Sequence, residues 1–528
     1  MNIVPARKLV SRSDVVARDG VVATSQPLAT QAGLDMIRRG GNAIDAAVAA
    51  AAVLDVVEPF STGCGGDAFT LIHLADKTEP LSYNGSGRSG SLIDLEDLLN
   101  KGWTSMPARG GPPVTVPGAL HLWCTIIEKH GTLQMKDILG PAIHYARDGF
   151  PVSPLIGLTW EHVPKVLRND AAREIFGDVP RVGQTRKNRD LADTFELVAK
   201  NGPDAFYAGR IAESIVKTVQ EDGGFLTLED LASHKTAKTK PISTDYRGIA
   251  VYEHPPNGQG FAALSMLNIM ETFDFSEFVP LSAERYHIMI EAKKLAYADL
   301  HQHNADPDFY EVPLKELLAK SYAKKRAELI DLEHSMNVYN PGLSLGSDTV
   351  YLATADGEGN AVSFINSLYM GIGSGLVATG TGIKLQNRGH LFSLDPEHPN
   401  CYAPRKLPFH TIIPGALYKE KSLLGVFGIM GGSHQAQAHA QVVSNVVDYG
   451  MSPQEAIDYP RFDHNHETNE VGLENEIPPQ IQSELRRRGH LLIPESAAYF
   501  GGGQVILKLE DAWIAGSDYR KDGQAAGF

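Results

Sequence analysis

Apolar residues follow two periodicities in this chain, and the dominant one changes along its length. From Thr349 onward a period of two prevails: Val350-Tyr351-Leu352-Ala353-Thr354 and Ala361-Val362-Ser363-Phe364-Ile365 flank Asp356-Gly357-Glu358-Gly359-Asn360. Two alternating runs about a Gly-rich turn predict a β-hairpin. Further strands are predicted at Thr411–Ile413 and Leu424–Gly428, and a helix over Ala436–Tyr449. Near the other end, Gly20–Ser25 reads as a strand, and a helix follows through Arg38 until Gly40-Gly41 breaks it. A second helix starts at Asn42-Ala43-Ile44-Asp45 and stops at Pro59. The turn Ser61-Thr62-Gly63-Cys64-Gly65-Gly66-Asp67 leads into a strand at Ala68–Ile72. It lacks the GxxxxGK[ST] spacing and a following basic residue, so it is no phosphate loop. Residues 115–340 read as mainly helical, with helices over Leu120–Lys129, Met135–Asp148, Asp190–Lys200 and Ala283–Leu300. Strands at both ends with helices between predict a layered arrangement in which the two ends meet in shared sheets.

Composition narrows the class. A chain of 528 residues with 43% hydrophobic and 21% charged residues has the balance of a globular protein. A formal charge of −15 argues against nucleic acid or an anionic membrane as the main partner. Cys64, Cys124 and Cys401 are widely spaced and form no CxxC pair, so neither a zinc site nor a disulfide framework is suggested, and no cofactor is expected. The basic start, Met1 to Lys8, is not followed by an apolar run, and Ala43–Val57 is too short and too acidic for a membrane span. A cytoplasmic enzyme acting on a small molecule is the expectation.

The candidate chemistry sits at the head of the hairpin. Thr349 opens its first strand after a loop containing Asn340-Pro341-Gly342. Cleavage before Thr349 would give that residue a free α-amine beside its hydroxyl, nucleophile and base in one residue. A Thr in an ordinary strand is the plainer alternative. Ser367, near the end of the second strand, is placed to hydrogen-bond the Thr349 amine or hydroxyl, or else is a capping hydroxyl. Gly431-Gly432 follows a predicted strand, where successive N–H groups can converge on an oxyanion, or where a tight turn alone requires glycine.

Taken together these marks resemble the γ-glutamyltransferase family of N-terminal-nucleophile hydrolases over almost the whole chain. The resemblance rests on Gly40-Gly41-Asn42-Ala43-Ile44-Asp45-Ala46-Ala47, Gly65-Gly66-Asp67, the Thr349 hairpin with Gly359-Asn360-Ala361-Val362, Gly371-Ile372-Gly373-Ser374-Gly375 (read as a flexible loop), Gly431-Gly432-Ser433 and Asp448-Tyr449-Gly450-Met451. It implies an α+β fold of four αββα layers and autocatalytic cleavage between Asp348 and Thr349. The products would be a large subunit, 1–348, and a small subunit, 349–528, sharing one core, with association of two such heterodimers left open. It makes Thr349 the nucleophile, Ser367 the supporting hydroxyl, and Gly431 and Gly432 the oxyanion hole.

The departures from the family bear on substrate. Its γ-glutamyl enzymes hold the substrate α-carboxylate with the Arg of an Arg-Glu-x-Ala-Pro stretch; here the stretch reads Asn84-Gly85-Ser86-Gly87-Arg88-Ser89-Gly90, with Arg88 displaced. They hold the α-amine with the second Asp of a Met-Asp-Asp-Phe run, replaced here by Gly389-His390-Leu391-Phe392. Leu391 offers no acceptor to an ammonium group. His410 and Thr411 stand where the family has paired serines, and Tyr369 where it has an assisting Asn. The catalytic engine is thus kept while the amino-acid clamp is rebuilt, as in the family's acylase-like and amidohydrolase branch. The expected substrate is a small carboxylated amide, oxamate being the best named case, bound by Arg88, Tyr369, His410 and Thr411. Arg88 as a solvated turn arginine, and a γ-glutamyltransferase or glutathione hydrolase with an altered site, are the alternatives.

Overall fold

A computed structural model describes residues 11–337, 348–494 and 500–528. The start Met1–Lys8 and the loop at Asn340-Pro341-Gly342 lie outside them. Two seven-stranded antiparallel sheets form the centre. One sheet orders its strands as Gln524–Gly527, Gly20–Thr24, Asp348–Asp356, Ala361–Tyr369, Asp67–His73, Leu81–Gly85 and Ala237–Thr239. The other runs Val15–Ala17, Trp513–Ser517, Gly502–Lys508, Ser422–Met430, Gly415–Lys419, Ile249–Glu253 and Ile242–Tyr246. Strands from both ends of the chain therefore share both sheets, as the sequence predicts.

The period of two explains the layering. In the hairpin, Val350, Leu352, Val362 and Phe364 face a cluster with the helix Ala43–Val57, while Tyr351, Ala353, Ala355, Ala361 and Ile365 face the opposite sheet. That second sheet presents Ala416, Val426, Met430 and Ile506 to the same intersheet layer. Its outer face, with Val251, Leu417, Phe427 and Val505, packs on the helices Gly260–Met270, Ala283–His303 and His434–Val447. Both faces of both sheets are covered, which gives the αββα order. Helix Ala43–Val57 is buried along its whole length and starts on a capping box, with Asn42 and Asp45 satisfying each other's backbone N–H groups.

Three expectations need correction. The stretch read as mainly helical also contains Ala237–Thr239 and a hairpin of Ile242–Tyr246 with Ile249–Glu253; Ala237–Thr239 pairs with Leu81–Gly85 and Ile249–Glu253 with Gly415–Lys419, both far away in sequence. Thr411–Ile413 is not a strand; it is an irregular approach to Gly415–Lys419. The Gly371–Gly375 loop is not loose: Ile372 to Gly375 are buried, and the Arg109 side chain donates to the carbonyls of Gly371 (2.7 Å) and Gly373. Among the described residues no helix is long and apolar enough to cross a membrane.

Candidate active site

The hairpin turn is fixed by Asp356, whose carboxylate accepts from the backbone of Glu358 and Asn360 (both 3.0 Å) and from Asn360 Nδ2 (2.9 Å). Register holds from Ala355↔Ala361 to Val350↔Asn366 and then slips, so that Asp348 faces Tyr369. Such an irregularity re-aims the side chains beside it. Here it sets buried Thr349 against buried Ser367, Oγ1 to Oγ 3.1 Å. Ser367 Oγ also accepts from Tyr369 N (2.8 Å) and Arg388 Nη2 (3.0 Å). To close this contact Tyr369 adopts φ 78°, a conformation non-glycine residues avoid except where surrounding structure over-determines it. The neighbouring Gly66 is required sterically: a Cβ there would stand 2.2 Å from the Ser367 carbonyl oxygen.

Arg388, which sequence reasoning passed over, is central. It opens the short turn Arg388–Leu391, is fully buried, and bridges Ser367 to Thr411 through Nη1 (2.8 Å to Thr411 Oγ1). Its guanidinium lies 4.5 Å from the centroid of the Tyr369 ring, cation over π face. Burial lowers its pKa to about 10, with Asp67 opposing, so the cation persists at neutral pH. Asp67, the cross-strand neighbour of Ser367, approaches Arg388 Nε at 3.9 Å and accepts from Gly87 N at 2.9 Å. Burial raises its carboxyl to about 7, although Arg388 pulls the other way. His410 Nε2 stands 3.4 Å from the same carboxyl. Burial, then Arg388, push the imidazole well below its usual range, so this contact is not an ion pair at neutral pH. Among the described residues neither ring nitrogen of His410 nor the Tyr369 hydroxyl has a hydrogen-bond partner.

The glycine pair completes the constellation. Gly431 and Gly432 take φ 127° and 59°, both left-handed, at the start of the helix His434–Val447. Tyr351 lies against Gly428, three residues upstream, which brings this turn to the Thr349 end of the hairpin. A buried side chain, Gln259, ties the turn to the rest: its Nε2 donates to the carbonyls of Thr411 (2.5 Å) and Gly432 (2.8 Å).

The structure therefore brings together Thr349, Ser367, Tyr369, His410 and Thr411, and adds Arg388, Asp67 and Gln259. Arg88 is directed elsewhere. Its guanidinium holds Asp306 (2.9 Å), Asp308 (2.5 Å) and the Arg405 carbonyl (2.9 Å). It lines a cavity of about 260 Å³ with Ser86, His234 and Arg405, and neither Thr349 nor Ser367 lines that cavity. The sequence signal for Arg388 was its position one residue before the altered Gly389–Phe392 run; a buried arginine has no periodicity to announce it. A metal is not favoured at the best-spaced cluster among the described residues, His287, Glu291 and His490. There His287 Nδ1 and His490 Nε2 share a 2.8 Å hydrogen bond, and the Lys294 ammonium stands 2.8 Å from Glu291, already filling the cation position.

Two antiparallel sheets between helical layers, with a threonine at the head of a central strand, define the fold of the N-terminal-nucleophile hydrolases. Within that class the chain belongs to the gamma-glutamyltranspeptidase family, whose model matches residues 29–528. It is 38% identical to the glutathione hydrolase-like YwrD proenzyme of Bacillus subtilis, over 97% of this chain and 99% of that protein. It is 32% identical to the oxamate amidohydrolase proenzyme of Klebsiella pneumoniae, over 98% of this chain and 100% of that protein. The crystal structure of cephalosporin acylase from Bacillus halodurans superposes with a TM-score of 0.92 at 42% identity, covering 100% of this chain and 98% of that one. The chain is an amide-hydrolysing enzyme of this family.

Proposed function

We propose that the chain matures by breaking its own Asp348–Thr349 bond and then hydrolyses a small amide carrying a carboxylate and no α-amine, oxamate being the best named case. The freed α-amine of Thr349 takes the proton of its own hydroxyl, and Oγ1 attacks the amide carbonyl. Backbone N–H groups of Gly431 and Gly432 receive the oxyanion, and the amine leaves with the proton as ammonia. Water then hydrolyses the acyl-Thr349 ester, releasing the acid (oxalate, from oxamate) and restoring the threonine. Ser367 holds Oγ1 in place throughout.

The observation that carries the substrate class is Arg388. A buried guanidinium one hydrogen bond from Ser367 is suited to a carboxylate adjacent to the scissile carbonyl, as a bidentate partner or through a single charged hydrogen bond. Position 391, by contrast, carries a leucine packed among apolar side chains and gives an ammonium group nothing to bind. The test compares kcat/KM for oxamate, by ammonia release, with kcat/KM for glutathione. Oxamate is expected to be the better substrate. Faster turnover of glutathione would overturn this and make the enzyme a γ-glutamyl hydrolase with a rebuilt clamp.

A further inference from the structure

Gln259 stands just before the helix Gly260–Met270, in the N-cap position, yet its side chain makes no cap hydrogen bond. It turns into the site, fully buried, and spends both Nε2 protons on two backbone carbonyls, those of Thr411 and Gly432. These belong to different loops with different duties. The Thr411 loop holds Arg388 through the threonine hydroxyl; the Gly432 turn supplies the oxyanion donors. The two anchorings are unequal. Arg388 is also held by Ser367 and faced by Asp67, so its loop is fixed from several sides. Among the described residues the Gly432 carbonyl has, besides Gln259, the backbone N–H of Gln435 at 3.2 Å. Both turn residues are glycines in left-handed conformations, where the backbone has least intrinsic preference and depends most on what grips it. Tyr297 donates to the next carbonyl, that of Ser433, so the turn is gripped by side chains at two successive peptides.

We propose that Gln259 is a positioning residue that sets the oxyanion turn against the Thr411–Arg388 half of the site. It touches no reacting atom; it aims the Gly432 peptide. The inference rests on the reading of Gly431-Gly432 as the oxyanion hole and adds a residue to it.

The consequence is specific. One hole serves two tetrahedral intermediates, in formation and in hydrolysis of the acyl-Thr349 ester, so loosening it must slow both steps. Substrate binding through Arg388 must be spared. Gln259→Met keeps the size of the side chain and removes the donor; Gln259→Glu keeps the shape and sets a carboxylate against two carbonyls. Rapid-quench kinetics on the mature enzyme, with the substrate that the wild type turns over best, measure acylation and deacylation separately, and oxalate inhibition reports ground-state binding. For Gln259→Met we expect both rates to fall by about tenfold or more, on the scale of losing part of one oxyanion donor. The oxalate inhibition constant should stay within about threefold and the thermal midpoint near that of the wild type; Gln259→Glu should be slower still. Unchanged rates overturn the proposal, as does a fall in acylation alone with weakened oxalate binding, which assigns Gln259 to substrate placement instead. Failure of the functional reading looks different: the wild type itself would then form no acyl-enzyme.

Discussion

Arg388 keeps its charge in a place with no solvent, and that is affordable only because Asp67, Thr411, Ser367 and the Tyr369 face surround it. Lysine could keep the charge but not the fork that reaches Ser367 and Thr411 at once. Arg388→Lys is therefore expected to lower kcat/KM for oxamate by about tenfold to a hundredfold, the range for charged hydrogen bonds. Arg88→Lys, altering a side chain already paired with Asp306 and Asp308, should change it by less than about threefold. A reversed order of the two effects would return the carboxylate to Arg88. Asp67 makes a separate prediction about pH. Its carboxyl is raised to about 7, so between the ordinary carboxyl range and pH 7 the folded state keeps a proton that the unfolded state has released. Stability from this group is present at low pH, falls as pH rises through that window, and levels off above it. Asp67→Asn cannot titrate, so its thermal midpoint should vary less with pH between 5 and 7 than that of the wild type. Equal slopes would mean that Asp67 is ionised throughout.

At the scale of elements, the loops of the site are bolted to the helix Ala43–Val57. Lys384, in the two-residue strand Ile383–Lys384, reaches Asp55 near the end of that helix at 2.5 Å, both side chains buried. Asp55 accepts in addition from Cys64 N (2.7 Å), at the start of the Gly65-Gly66-Asp67 turn. Lys384→Met leaves a buried carboxylate without its cation, and should cost about 3–5 kcal/mol, read from chemical denaturation. A loss under about 1 kcal/mol would show that the pair contributes little beyond packing. The hairpin was legible in sequence because a period of two runs through it, the helix Met135–Asp148 because a period of 3.6 does, and the capped helix because Asn42 opens and Pro59 closes its apolar run. Thr411–Ile413 misled because a β-branched, apolar run also suits an irregular segment sealed under other chain. The strands at 237–253 were missed for the reason opposite: each is five residues or fewer, and Ala237–Thr239 and Ile249–Glu253 take partners from distant chain.

Over the whole molecule, the sheet that carries the site interleaves strands from before and after Thr349. Gly20–Thr24 and Asp67–His73 flank the pair Asp348–Asp356 and Ala361–Tyr369. Cleavage before Thr349 would remove one covalent link and leave the interstrand hydrogen bonds and the core clusters on both faces of that sheet in place. The purified enzyme is thus expected to run as two polypeptides on a denaturing gel and as one particle of at least 57.2 kDa in native size-exclusion chromatography. Thr349→Ala should remain a single chain without hydrolase activity. Cleavage of Thr349→Ala after residue 348 would rule out Thr349 as the agent of processing.

What the sequence determined by itself was whatever depends on local pattern or on a spaced set of residue types: the alternation that makes the hairpin, the glycines that allow tight approach, and the family resemblance that makes Thr349, Ser367 and Gly431-Gly432 one candidate set. What it could not decide was which arginine faces the Thr349–Ser367 pair. Arg88 and Arg388 are alike as letters, and each lies in a Gly-containing stretch where the family pattern is broken. Only the packing separates them, because a guanidinium's role depends on the carboxylates and hydroxyls that reach it from elsewhere in the chain: Asp306 and Asp308 for one, Asp67, Ser367 and Thr411 for the other. Those neighbours are set by sheet register and layer packing, at separations of 21 to 220 residues by the hydrogen bonds alone, and no local pattern encodes them.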